Sequence, residues 1–140
     1  FISYRKTKLK KGEFIYSIKI PLNRENVFKA YKISKRFDDD ISSVCGSFSF
    51  LIKKNRITKV AIAYGGMSEI PKRALTIEKN LINSEFSENT FSRAVDLMNK
   101  DFSPLDDMRA SKNYRLTVAK NLLLKAFYEI KDKKNIRIHS

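Results

Sequence analysis

Cysteine and histidine are almost absent: in 140 residues there is one of each, Cys45 and His139. A lone cysteine excludes an intrachain disulfide, a cysteine-based zinc site and an iron–sulfur cluster built by this chain alone. It suits a reducing compartment, and a cytoplasmic location is the expectation. His139 lies next to the last residue, a poor place for acid–base work. No serine sits in a G-x-S-x-G elbow. Gly65-Gly66 is followed by Met67 and fits neither a P-loop nor a dinucleotide fingerprint. Asp38-Asp39-Asp40 lacks the alternating oxygen-ligand spacing of a calcium loop. No catalytic residue and no metal site is expected. No apolar run approaches the ~20 residues of a membrane span. The apolar segment of a signal peptide is missing after Phe1. The chain has no initiator methionine, so a piece of a longer protein is expected.

What is abundant is positive charge: 29 Lys and Arg against 15 Asp and Glu, a net +14. A basic nucleic-acid-binding module is therefore one reading. The cations are scattered, however, and densest at the two ends. Zinc-finger spacing, an RNP-type aromatic motif and a helix-turn-helix are all missing. No specific nucleic acid and no membrane is expected as partner.

One domain is expected from the length. Its first part reads as strands. Phe14, Tyr16, Ile18 and Ile20 alternate up to Pro21, which cannot donate to a ladder. Val27 to Ser34 is a second strand. Val44, Gly46, Phe48, Phe50 and Ile52 alternate in a third. A hairpin at Lys53–Arg56 leads to a fourth, Ile57 to Tyr64. Ser43 and Ser47 flank Cys45 opposite Val44 and Gly46, a small-residue face that suits another packed strand or a planar ligand.

Helical periodicity begins after Gly65-Gly66. Pro71 suits the first turn of a helix carrying Ala74, Leu75, Leu81 and Ile82. Ser87 can cap a second helix with Phe91, Ala94, Val95 and Met98 on one stripe. A loop runs from Asp101 to Arg109. Ser111 can cap a third helix with Ala119, Leu122, Leu123, Ala126, Phe127 and Ile130 on one face. Strands followed by helices imply an α+β fold: an antiparallel sheet of three to four strands, then three helices on one face. The domain is expected to span 1–131, with a polar tail at 132–140.

One stretch stands out. Tyr31 to Ile41 opens as a strand, passes Lys35, Arg36 and Phe37, and ends in three carboxylates. A solvated turn is one reading; a loop presenting charges to a ligand is the other.

Five segments in order resemble the molybdenum hydroxylases. They are Phe1 to Thr7, Gly12 through Pro21, Tyr31 to Ile41, Tyr64-Gly65-Gly66-Met67, and Met108-Arg109 through Tyr114-Arg115-Leu116. Together they look like the C-terminal part of the FAD-binding portion of xanthine dehydrogenases. The Lys32–Ile41 segment looks most like the bacterial small subunit, which carries iron–sulfur clusters and FAD. Phe37 stands where animal enzymes often have a basic residue. The resemblance implies a CO dehydrogenase flavoprotein C-terminal domain-like sandwich closing over FAD. It implies purine oxidation at a molybdopterin centre elsewhere, electron passage through two [2Fe–2S] clusters to FAD, and NAD as acceptor. It implies that Ile15 and Lys32 contact FAD, and that Arg36 and Asp39 lie on a loop beside it. It implies as partners the remaining FAD-binding and iron–sulfur domains and a molybdopterin-binding subunit. By itself the fragment is expected to be inactive. A non-catalytic subunit-docking domain is the remaining alternative.

Overall fold

A computed structural model describes residues 1–21, 25–37 and 39–133. Four strands form one antiparallel sheet in the order β1-β2-β3-β4: β1 (Val27–Ile33), β2 (Val44–Lys53), β3 (Arg56–Gly65) and β4 (Lys72–Arg73). Lys54 and Asn55 join β2 to β3 with φ of +47° and +60°. Two consecutive left-handed residues are what a two-residue hairpin turn of type I′ needs.

The alternation of β2 sorts its side chains. Val44, Phe48 and Phe50 are fully buried, while Cys45, Ser47 and Ser49 face the other way and are half-exposed. In the register, Lys32 pairs Cys45 and Gly65 lies beyond it; Ala30, Ser47 and Ala63 form the next row. Around Lys32 the outward face therefore carries small side chains, while Phe28 stands on the same face in the row of Ser49 and Ala61. The face read as small from the sequence includes Cys45 and Ser47 but not Ser43. That residue precedes β2 and is buried.

Helices α1 (Leu75–Leu81), α2 (Glu88–Val95), α3 (Met98–Asp101) and α4 (Lys112–Asp132) follow the strands. The long α4 lies across β2 and β1, α1 lies against β3, and α2 bridges the two helices. Between them sits an aromatic core: Phe91 and Phe127 have ring centroids 4.7 Å apart, and Phe50 is 5.7 Å from Phe91. Offset and tilted ring pairs of this kind add ~0.5–1.5 kcal/mol beyond their burial. Ser111 caps α4 as expected, its hydroxyl accepting from Tyr114 N at 3.2 Å. Asp101 supplies the cap that α1 lacks locally, accepting from Thr76 N and Ile77 N at 2.9 and 3.0 Å. No helix of the described residues is long and apolar enough to cross a membrane.

Three expectations need correction. Residues 14–20 form no strand. Phe14 is 78% exposed and Tyr16 90%. The alternation is real, but a strand needs a ladder, and this stretch pairs with neither edge of the sheet. Pro71 does not open a helix: it precedes β4, and α1 begins at Leu75, flanked by Ala74. That later start changes which residues point inward. Ile77 enters the core, while Leu75 and Ile82 are exposed. Finally, Asp101 belongs to the one-turn helix α3 and not to the loop. His139 and the rest of the tail beyond Lys133 lie outside the described residues, as does Asp38.

Candidate functional site

At the end of β1 the chain leaves the sheet for the charged loop and returns at Ser43, whose N–H donates to Ile33 O at 2.8 Å. One carboxylate organises the turn. Asp40 Oδ2 accepts from Lys35 N at 3.1 Å and Arg36 N at 3.0 Å, while Oδ1 accepts from Ile41 N at 2.9 Å. The Arg36 guanidinium lies 3.8 Å from the same group. The Arg36 N–H foremost, with the Ile41 and Lys35 N–H groups and the Arg36 charge, holds the Asp40 carboxyl below its ordinary value of 3.8 against a smaller opposing effect of burial. Asp39 adopts φ +49° next to it. Phe37, at the tip, is completely exposed.

A second loop, residues 105–110, stands alongside. Asp107 plays there the part that Asp40 plays in the first. Its Oδ1 accepts from Arg109 N at 2.8 Å, Ala110 N at 3.1 Å and Arg115 Nη2 at 2.6 Å. Burial pushes this carboxyl up, but the two N–H groups and the guanidinium outweigh it and hold it low. Arg115 is 4% exposed. Its Nη1 donates to Gly66 O at 2.9 Å and to Ser43 O, and its Nε has no partner among the described residues. Ser43 Oγ donates to Arg109 O at 3.3 Å. The two loops meet where Lys35 Nζ donates to Met108 O at 2.7 Å.

The two loops enclose open cavities. One of about 500 Å³ is lined by Ser34, Lys35, Ser43 and residues 107–111. Another of about 510 Å³ brings Tyr4 together with Ile41, Gly66, Leu105 and Arg115.

Of the four residues expected to contact cofactor, Lys32, Arg36 and Asp39 lie together on β1 and the loop that leaves it. Lys32 is exposed on the outward sheet face, and its ammonium makes no ion pair or hydrogen bond with another described residue. Ile15 is 65% exposed on the unpaired stretch, and no bridge among the described residues joins it to the loop. No cluster of three or more His, Cys, Asp or Glu among the described residues is arranged for a metal.

Sequence reasoning did not single out Arg115, Asp107 or Lys35 as a connected set. A signal was present. The Gly65-Gly66 and Met108–Leu116 segments that carried the resemblance are the pieces that Arg115 ties together.

Comparison with known proteins adds four findings. The family model described as CO dehydrogenase flavoprotein C-terminal domain matches residues 29–130. The chain is 30% identical over 124 residues to the glyceraldehyde dehydrogenase medium chain of Sulfolobus acidocaldarius, covering 89% of this chain and 44% of that one. It is 30% identical over 141 residues to the xanthine dehydrogenase of Blastobotrys adeninivorans, covering 95% of this chain and 10% of that one. The chain thus spans less than half the length of these relatives. Among solved structures, that of a Cu,Mo-CO dehydrogenase superposes with a TM-score of 0.70 at 17% identity, over 82% of this chain and 40% of that one. At that identity the likeness is one of fold.

Proposed function

The chain belongs to the CO dehydrogenase flavoprotein C-terminal domain family, a FAD-binding part of molybdenum hydroxylases, and from that premise we propose that it forms one wall of a FAD site. The observation that carries the reading is the uncommitted Lys32 ammonium on the outward sheet face. Cys45 and Gly65 share its row and Ala30, Ser47 and Ala63 form the next, a patch of small side chains that leaves room for a flat ring. The fit is chemical as well as steric. Bound FAD supplies two-electron redox chemistry, and a cation beside it favours the reduced, anionic form. Arg36 and Asp39 on the adjoining loop add opposed charges that tune the same balance. The domain offers no phosphate-cradling glycine loop, so the dinucleotide's phosphates belong to another part of the protein.

We read the whole protein as a xanthine dehydrogenase-type enzyme, in which purine oxidation at a molybdopterin centre sends electrons through iron–sulfur clusters and FAD to NAD+. Similarity to a xanthine dehydrogenase across nearly all of the chain supports this. A second reading, aldehyde oxidation, is favoured by equal identity to a glyceraldehyde dehydrogenase medium chain. In either case the partners are the remaining FAD-binding segments, iron–sulfur domains and a molybdopterin subunit. The exposed stretch 14–20 supports such docking. It lies outside the matched domain, yet the similarity to xanthine dehydrogenase spans too much of the chain to leave it out.

The test is the flavin potential in a full-length protein containing this chain. Lys32→Met should lower the two-electron FAD potential by ~30 mV, equivalent to about 1.4 kcal/mol. Asp39→Asn should raise it. An unchanged potential in Lys32→Met, with FAD fully bound, would make Lys32 an ordinary solvated lysine. Whether xanthine or glyceraldehyde reduces the flavin separates the two substrate readings.

A further inference from the structure

We propose that Lys35 is a positioning residue: its ammonium clasps the charged loop to the 105–110 loop and so sets where Arg36 and Asp39 stand. Three observations carry this. First, the two loops are not equally fixed. The 105–110 loop is bolted to the interior, because Asp107 holds both its own turn and the buried Arg115, and Arg115 grips Ser43 O and Gly66 O. Ser43 Oγ adds a further tie to Arg109 O. Among its described residues the charged loop shows no such anchor beyond its first and last residues. Its internal bonds run to Asp40 and to the Arg36 carbonyl, within the loop itself.

Second, the Lys35 ammonium reaches across to the carbonyl of Met108, although carboxylates of its own loop are near in sequence. Asp40 has both oxygens occupied by backbone N–H groups. The Lys35 ammonium donates instead to the cross-loop carbonyl of Met108 at 2.7 Å. A charge-assisted bond to a fixed acceptor is stronger and better aimed than one between two moving groups.

Third, the bond stands at a boundary. The cavity of about 500 Å³ lies on one side and one of about 420 Å³ on the other; Lys35, Met108 and Arg109 line both. Arg36 and Asp39 line the second. Breaking the bond joins the two spaces and frees the loop to swing.

Only the consequence for flavin rests on the FAD-wall reading; the clasp stands on geometry. Amide hydrogen exchange on the 140-residue chain tests it. Lys35→Met keeps the aliphatic stem and removes the donor. It should speed exchange at residues 36, 37 and 39–41 roughly two- to tenfold, the range expected for one lost hydrogen bond. Exchange at 105–110 should not change. Lys35→Arg should restore slow exchange, since its guanidinium also donates. Asp107→Asn, which weakens the anchored side, should loosen both loops. Wild-type exchange in Lys35→Met overturns the clasp. Equal loosening of 105–110 in that variant overturns the assignment of the fixed side. In a FAD-bound full-length protein, Lys35→Met should also shift the flavin potential. Faster exchange with an unmoved potential leaves the clasp standing and counts against the FAD-wall reading alone.

Discussion

Gly66 has φ of +79°, and a Cβ there would run into the Ser43 carbonyl. Arg115 donates to both Gly66 O and Ser43 O, so the two carbonyls converge on one guanidinium at this turn. Gly66→Ala should therefore cost roughly 1–3 kcal/mol, measured by urea unfolding, from left-handed strain and the close approach together. A loss below about 0.5 kcal/mol would mean that the turn shifts freely. This constraint was half legible in the sequence. The Gly65-Gly66 pair marked the change from strand to helix period, but nothing in the spacing said that an arginine some 50 residues on would bond to it. The same holds for Lys32. Its place opposite the buried side of β1 followed from alternation, whereas its neighbours Cys45 and Gly65 depended on register, which alternation alone does not supply.

Among the elements, β2, β3 and α4 lay where periodicity put them, because each buries a regular stripe over many residues. The failures are short or unpartnered pieces. β4 has two residues, α3 has four, and residues 14–20 alternate without a ladder. Leu123 in the middle of α4 is fully buried. Leu123→Ala should cost roughly 2–5 kcal/mol by urea unfolding. The two loops of the candidate site answer to pH. Asp40 and Asp107 both have folded carboxyls held below the ordinary value. A depressed carboxyl contributes stability above its unfolded pKa of about 3.9, and that contribution is lost as pH falls through the folded value. Acidification below about pH 4 should thus release both turns. Following amide chemical shifts of Arg36 and Ala110 through a titration checks this; Asp40→Asn should abolish the step at Arg36 and leave that at Ala110.

For the molecule as a whole, the exposed apolar set is concentrated in residues 1–20, away from the core. Deleting residues 1–21 should change stability by less than about 1 kcal/mol. It should also reduce self-association in sedimentation runs, since contiguous apolar surface drives association. A large loss of stability would place that stretch in the fold after all. The β2–β3 hairpin has a different consequence, in time and not in space. Its turn needs only Lys54 and Asn55, and its pairs run without a crossover from Lys53–Arg56 to Cys45–Gly65. Hairpins of this kind close in ~1–10 μs, whereas docking α4 must first gather segments far apart along the chain. The hairpin is thus suited to be the early nucleus on which the helices later condense. Weakening its turn would then slow folding, while truncating side chains of α4 would chiefly hasten unfolding.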